Sequence, residues 1–342
     1  MKTIVAHGPK DLRIEEREVA EPGAGQVRIR MEAGGICGSD LHYYNHGGFG
    51  TVRLKEPMIL GHEVAGTVES LGSGFSSLQV GQRVAVSPSR PCHTCTYCHE
   101  GKQNHCLNMR FYGSAMPFPH IQGAFREFLV ADTAQCADAT GLTAGEAAMG
   151  EPLSVVLHAA KRAGDLMGKR VLVTGCGPIG MLAILVARAA GAVEVVATDV
   201  TPFTLKMATQ VGADAAFNVA EDANALSGFE VDKGHFDVLF ECSGVAAALA
   251  GAVAAMRPGG IIMQLGLGGD MTLPVQAMTA KELQLRGSFR FHAEFFSGVE
   301  MMQKGRLDVK PLITHTLPID DAVPAFEMAS DRNQAIKAQI SF

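Results

Sequence analysis

Four cysteines stand close together: Cys92, Cys95, Cys98 and Cys106, in a C-x2-C-x2-C-x7-C spacing. Four thiolates so spaced can close a tetrahedral zinc site that leaves no coordination position for a substrate. Such a site pins an irregular loop that has little core of its own. The alternatives are unrelated buried cysteines, an iron–sulfur cluster and a zinc ribbon that binds nucleic acid. The density of thiols speaks against the first, and the net charge of −6 speaks against the last.

A second set of donors is dispersed along the chain. Cys37 lies in Gly-Gly-Ile-Cys-Gly-Ser-Asp, His62 and Glu63 lie in Leu-Gly-His-Glu-Val-Ala-Gly, and Glu151 opens Glu-Pro-Leu-Ser. A catalytic zinc wants about three protein ligands and one open position, and these are suitable donor types. Each residue alone reads equally as packing or surface. The glycines around Cys37 and His62 permit close backbone approach, but glycine also marks ordinary turns.

A third pattern addresses phosphate. An apolar run at 170–174 leads into Gly175-Cys-Gly177-Pro178-Ile179-Gly180. In a G-x-G-x-x-G turn the first glycine makes the bend, the second admits a pyrophosphate and the third lets helix and strand pack closely. The following helix N-terminus offers unpaired N–H groups and the positive end of its dipole. Asp199 ends the next strand, placed to accept hydrogen bonds from an adenosine ribose. Its charge disfavours a 2′-phosphate, and no Arg or Lys occurs from 200 to 205 to offset it. NAD is therefore favoured, with NADP possible.

These groups need a frame. The first half is rich in Gly and Pro, with short strand-like runs at 27–31, 63–70 and 83–87. Near Glu151 the pattern changes to alternation: a strand at 170–174, a helix at 179–190, then strands at 193–198, 236–240 and 260–265. Strands alternating with helices imply an α/β, doubly wound parallel sheet. The alternation fades after about Arg290, so the last 50 or so residues are expected to return to the first domain. A chain of 342 residues exceeds the roughly 250–300 at which one core stops growing, so two domains are expected.

An acidic chain has no global basic field for nucleic acid or an anionic membrane. Gly8 and Pro9 cut short the N-terminal apolar run, which does not read as a signal peptide. The most apolar stretch, 171–187, holds Gly175, Gly177, Pro178 and Gly180, too interrupted for a membrane span of about 20 residues. The expected setting is cytoplasmic, with clustered cysteines used for metal.

Taken together, Gly-Ile-Cys37-Gly-Ser39-Asp-Leu-His42, Gly61-His62-Glu63, the four-cysteine lobe, Glu151-Pro-Leu and the glycine motif resemble the zinc-containing medium-chain dehydrogenases over essentially the whole chain. Met109-Arg-Phe-Tyr-Gly-Ser-Ala-Met116, Phe118-Pro-His120 and Gly287-Ser-Phe-Arg-Phe291 carry the likeness into the sorbitol dehydrogenase branch, toward members acting on the sugar acid L-idonate. The resemblance implies a GroES-like catalytic domain over 1–150 and 291–342, with a zinc lobe near 90–108, and a Rossmann domain over 151–290. It implies two zinc ions per subunit. One is structural, on the four cysteines. The other is catalytic, on Cys37, His62 and a carboxylate, Glu63 or Glu151. It places Pro178, Ile179, Leu265, Ser288 and Arg290 with the cofactor, and implies a homodimer or homotetramer.

In such enzymes zinc acts as a Lewis acid on a substrate hydroxyl, and hydride passes to the nicotinamide. Ser39 is the candidate first station for the departing proton and His42 the next; a turn-capping hydroxyl and a surface histidine are the plain alternatives. An anionic substrate needs a carboxylate partner, for which Arg110 and Arg290 are the candidates. The expected reaction is oxidation of L-idonate to 5-keto-D-gluconate. A neutral polyol such as sorbitol or xylitol is the alternative substrate, and a non-catalytic dinucleotide-binding protein the alternative class.

Overall fold

Apolar and polar side chains alternate along the strand Gln26–Gly35, which buries Val27, Ile29 and Met31 and sends Arg28 and Arg30 to the opposite side. The buried side meets Ile4, Phe125 and Phe326 in one apolar core. This strand centres a seven-stranded sheet. Glu63–Leu71 pairs with it antiparallel along one edge, in a register that sets Gly35 opposite Glu63. On its other side Phe128–Asp132 pairs near the start. Lys337–Ser341 pairs at the far end, with Gln339 opposite Gly35. Residues more than 270 apart in sequence thus meet at one end of the central strand.

The computed structural model describes residues 1–74 and 76–342. They fall into two units, one of 1–154, 291–331 and 337–342, the other of 155–290 and 332–336. The C-terminal stretch lies in the first unit except for 332–336, a short excursion that the fading of strand–helix alternation did not signal.

The second unit is built on a six-stranded sheet in the order Ala215–Asn218, Glu194–Asp199, Arg170–Thr174, Phe236–Glu241, Met256–Gln264, Gln284–Gly287. Every pairing is parallel. The central strands are apolar almost throughout, as a sheet covered on both faces requires. The order steps outward in both directions from Arg170–Thr174, which places a topological switch point at its C-terminal end. The helix Pro178–Ala189 follows there, with Gly177 as its N-cap and proline at its first position, where the missing N–H costs nothing.

The strands expected from sequence all form, with longer bounds in places. The strand expected at 27–31 runs on to Gly35 because neighbours on both sides hold it, although Ala33, Gly34 and Gly35 carry no strand signal of their own. The strand expected at 260–265 begins at Met256, across Pro258 and two glycines, because Met256 pairs with Phe236 across a register shift. No helix among the described residues is long and apolar enough to cross a membrane.

Candidate active site and metal centres

Cys37 is the N-cap of the helix Gly38–His46. Its backbone N–H donates to Asp40 Oδ2 (3.0 Å), while the Gly61 N–H donates to Asp40 Oδ1 (3.0 Å). One fully buried carboxylate therefore ties the segment bearing Cys37 to the segment bearing His62. Burial pushes the Asp40 carboxyl up, against the pull of the nearby His62 and those two N–H groups. Sequence reading missed Asp40; its position three residues after an N-cap was the available signal.

Cys37, His62 and Glu63 each offer a donor atom within 4.8 Å of the others. His62 is buried, with the Phe111 ring 5.5 Å from its own. Its Nδ1 has no hydrogen-bond partner among the described residues, the Asp40 carboxylate lying 3.8 Å away. Both Glu63 oxygens accept from the buried Lys337 ammonium, at 2.9 and 2.7 Å. Lys337 also donates to the Ile36 carbonyl (3.2 Å). A Cβ on Gly35 would stand 2.1 Å from Glu63 Oε2, so the glycine opposite Glu63 makes room for its carboxylate.

Glu151 is buried beside this group, in the first turn of the helix Gly150–Ala163, but outside the 4.8 Å set. Burial lifts its carboxyl to about 8, with His62 pulling it back and Glu63 and Cys37 adding to the rise. The Cys37 thiol is pushed up to about 12 by burial and then by Glu63. Burial would lower Lys337, but Glu63 and Cys37 hold it raised. Two buried carboxyl groups, Glu63 and Glu151, and the Cys37 thiol thus act on one buried ammonium. The donor set fits a divalent zinc ion, which would take the thiol as thiolate and favour the ionised form of the carboxyl groups beside it.

Ser39 and His42 follow Cys37 on the same helix, both half-buried. The His42 ring lies 6.1 Å from that of His46 and 5.8 Å from that of Phe49, and burial lowers its pKa. Arg110 is placed differently. It is exposed, on a two-residue strand whose other member, Phe111, turns toward His62. Alternation along a strand sends Arg110 to the opposite face.

The four lobe cysteines also gather their sulfurs within 4.8 Å. Cys95 caps the short helix Thr96–His99 and Cys106 ends the turn Gln103–His105. The Cys92–Cys106 sulfur separation of 3.5 Å is far beyond a disulfide bond. Hydrogen bonds from Thr94 and Asn108 draw the Cys92 thiol down to about 5, while burial drives Cys98 to about 12. Tyr97 and Leu107 of the same lobe are exposed, so the loop has little apolar packing to hold it. A tetrahedral cation fits both the donors and the need.

In the second unit, Gly175 adopts φ +84°, and a Cβ there would meet the Ser243 backbone at 2.7 Å. A Cβ on Gly180 would fall 1.8 Å from the Gly175 carbonyl oxygen, whereas one on Gly177 would meet nothing nearer than Arg332, at 4.0 Å. The Asp199 carboxylate accepts from the N–H groups of Cys176 (2.6 Å), Val200 (2.7 Å) and Thr201 (3.1 Å). It bridges the glycine turn to the end of its own strand. Gly175, Gly177 and Asp199 line a cavity of about 600 Å³ together with Glu230, Val245 and Arg332. Pro178 and Ile179 form the first turn of the helix behind Gly177. Leu265 follows the strand Met256–Gln264, and Ser288 and Arg290 follow the edge strand Gln284–Gly287; none of the three lines this cavity. Ser288 Oγ is buried without a partner among the described residues, and Arg290 has φ +55° with its guanidinium 5.0 Å over the Phe289 ring.

Residues 23–141 match the Alcohol dehydrogenase GroES-like domain family and 178–304 match the Zinc-binding dehydrogenase family. L-idonate 5-dehydrogenase (NAD(P)(+)) of Escherichia coli is 40% identical over 343 residues, covering 100% of this chain and 98% of its own. Its crystal structure superimposes with a TM-score of 0.95 over 100% of this chain and 98% of that one, at 40% identity. Sorbitol dehydrogenase of Homo sapiens is 37% identical over 331 residues, 95% of this chain and 91% of that one.

Proposed function

From the premise that the chain belongs to the zinc-containing medium-chain alcohol dehydrogenases, we propose that it oxidises L-idonate to 5-keto-D-gluconate, reducing NAD⁺ to NADH and releasing a proton. The observation that carries the reading is the compact set of Cys37, His62 and Glu63, whose donor atoms lie within 4.8 Å of one another.

Zinc bound on this set would supply Lewis acidity to the substrate hydroxyl, and the nicotinamide would take up hydride. The chain's own residues do the rest. Cys37, His62 and Glu63 would hold the ion, with Glu151, buried beside them, as the alternative carboxylate. Asp40 keeps the Cys37 and His62 segments in register. Ser39 accepts the hydroxyl proton and His42 passes it on. Arg290 takes the substrate carboxylate. Cys92, Cys95, Cys98 and Cys106 would hold the second zinc, with no coordination position left for substrate. The dinucleotide occupies the cavity lined by Gly175, Gly177 and Asp199, with NAD preferred over NADP because Asp199 repels a 2′-phosphate.

A neutral polyol is the second reading. It is favoured by the exposed position of Arg110 on the face of its strand away from His62, which leaves Arg290 as the one proposed carboxylate partner. Steady-state NADH formation on a panel of aldonates and polyols separates the two. Arg290→Ala is expected to raise KM for L-idonate far more than for sorbitol; equal effects sink the carboxylate role. No turnover on any secondary alcohol returns the chain to a dinucleotide-binding protein without catalysis. We place the protein in the cytoplasm, where eight free thiols stay reduced. We expect a homodimer or homotetramer, which light scattering of the purified chain tests.

A further inference from the structure

The cavity in the second unit has an uneven charge pattern. Asp199 and Glu230 are its carboxylates, and Arg332 is the one cation among the described residues that line it. Arg332 reaches this cavity on the excursion 332–336, the only part of the chain beyond Arg290 that belongs to this unit. Its guanidinium carbon lies 4.0 Å from where a Gly177 Cβ would stand. Gly177 is the N-cap of the twelve-residue helix Pro178–Ala189 and offers no side-chain cap.

That helix end is short of donors. The Gly175 N–H is committed to the Thr198 carbonyl (2.8 Å). The Cys176 N–H is committed to Asp199 Oδ2 (2.6 Å). Pro178, at the first helical position, has no N–H. Gly177, Ile179 and Gly180 remain. The helix dipole contributes only about half an elementary positive charge at this end. A dinucleotide brings a negative charge on each of its two phosphates, so amides and dipole alone leave most of that charge uncompensated. A planar guanidinium beside Gly177 can donate two parallel hydrogen bonds to phosphate oxygens.

We propose that Arg332 binds the diphosphate of the dinucleotide, and that the 332–336 excursion exists to deliver it to the glycine turn. The inference rests on the dinucleotide reading of this cavity. It gives the C-terminal stretch a role in cofactor binding in addition to its strand in the first unit. Arg332 and Asp199 then divide the recognition, one holding the diphosphate and the other the adenosine ribose.

The test is direct binding to the full-length, zinc-loaded protein, read by NADH fluorescence and by competition with ADP and adenosine. ADP carries the diphosphate; adenosine lacks it. Arg332→Gln is expected to weaken NADH and ADP on the order of tenfold to a hundredfold, the range for losing a charged hydrogen bond. Adenosine binding should not move, and the salt dependence of ADP binding should fall. Arg332→Lys should recover part of the loss and keeps the test open if Arg332→Gln folds poorly. Unchanged ADP affinity in Arg332→Gln overturns the proposal. So does an equal loss for ADP and adenosine, which would mark Arg332 as packing. Wild-type protein that binds neither NADH nor ADP overturns the dinucleotide reading as well, an outcome distinct from wild-type binding that Arg332→Gln leaves intact.

Discussion

Replacing Lys337 by methionine tests the charge balance of the candidate catalytic centre. Lys337 and Glu63 are 2% and 1% exposed, so solvent cannot replace the lost partner. The substitution keeps the apolar stem and removes an ammonium bonded to both Glu63 oxygens and the Ile36 carbonyl. Glu63 is left as a buried anion beside Cys37 and Glu151. Removing one partner of a buried pair costs about 3–5 kcal/mol. In a unit of about 200 residues, each kcal/mol moves Tm by roughly 2–4 °C, so zinc-free Lys337→Met should melt about 10 °C below zinc-free wild type. Zinc on Cys37, His62 and Glu63 would supply the missing positive charge, so the loss should be clearly smaller in the zinc-loaded protein. Calorimetry of both forms of wild type, Lys337→Met and Lys337→Arg measures the two gaps. Loss of the four-cysteine zinc on chelation is common to all variants and cancels in the comparison. Lys337→Arg keeps the charge and should lie between the other two. An equal loss with and without zinc, or none in the zinc-free protein, would refute the reasoning that Lys337 and a cation balance the same carboxylate.

The two metal centres should separate by substitution. Cys95→Ser is expected to lower Tm and remove one zinc per chain by atomic absorption, because the lobe has little packing of its own; Cys37→Ser should also lose one zinc, keep its Tm near that of wild type and lose turnover. Gly180→Ala should cost about 1–3 kcal/mol or more in denaturant unfolding, since its Cβ would fall 1.8 Å from the Gly175 carbonyl oxygen; wild-type stability and NADH affinity would contradict the close-packing role. In zinc-free protein Glu151 should make stability depend on pH. Its carboxyl is near 8 when folded and about 4.3 when unfolded, so between those values the native state holds the extra proton. Stability should then fall as pH rises, by up to about 1.4 kcal/mol per unit, and level off above about 8. Glu151→Gln should flatten that slope, and a slope that survives the substitution belongs to another group.

Features that depend on neighbours in the chain were legible from the residues alone. The four cysteines span a single short loop, and local turns suffice to bring their sulfurs within 4.8 Å. The glycine motif lies between a strand and a helix that form from their own apolar periodicity, and added Cβ atoms at Gly175 and Gly180 would collide with backbone. Asp199 ends the adjacent parallel strand, so its distance from the motif follows from strand length and one crossover.

The candidate catalytic group was legible only as a set of suitable donors. Cys37, His62 and Glu63 meet because Asp40 ties two segments together and because pairing sets Gly35 opposite Glu63 on one side and Gln339 on the other. Strand register of that kind follows from the packing of the whole sheet, and no local pattern specifies it. Lys337 reaches Glu63 across 274 residues, and Arg332 reaches the glycine turn across more than 150; neither carries a signal beyond a charge in or near a short apolar run. Arg110 shows the converse, a residue close in sequence to a site neighbour yet turned from it by the alternation of a two-residue strand. Ligand types, glycine spacing and strand–helix alternation are local, so the residues alone carried the candidate metal donors and the dinucleotide turn. Which charges face those groups came from the folded chain, because the contacts are made between strands and loops whose meeting depends on the fold as a whole.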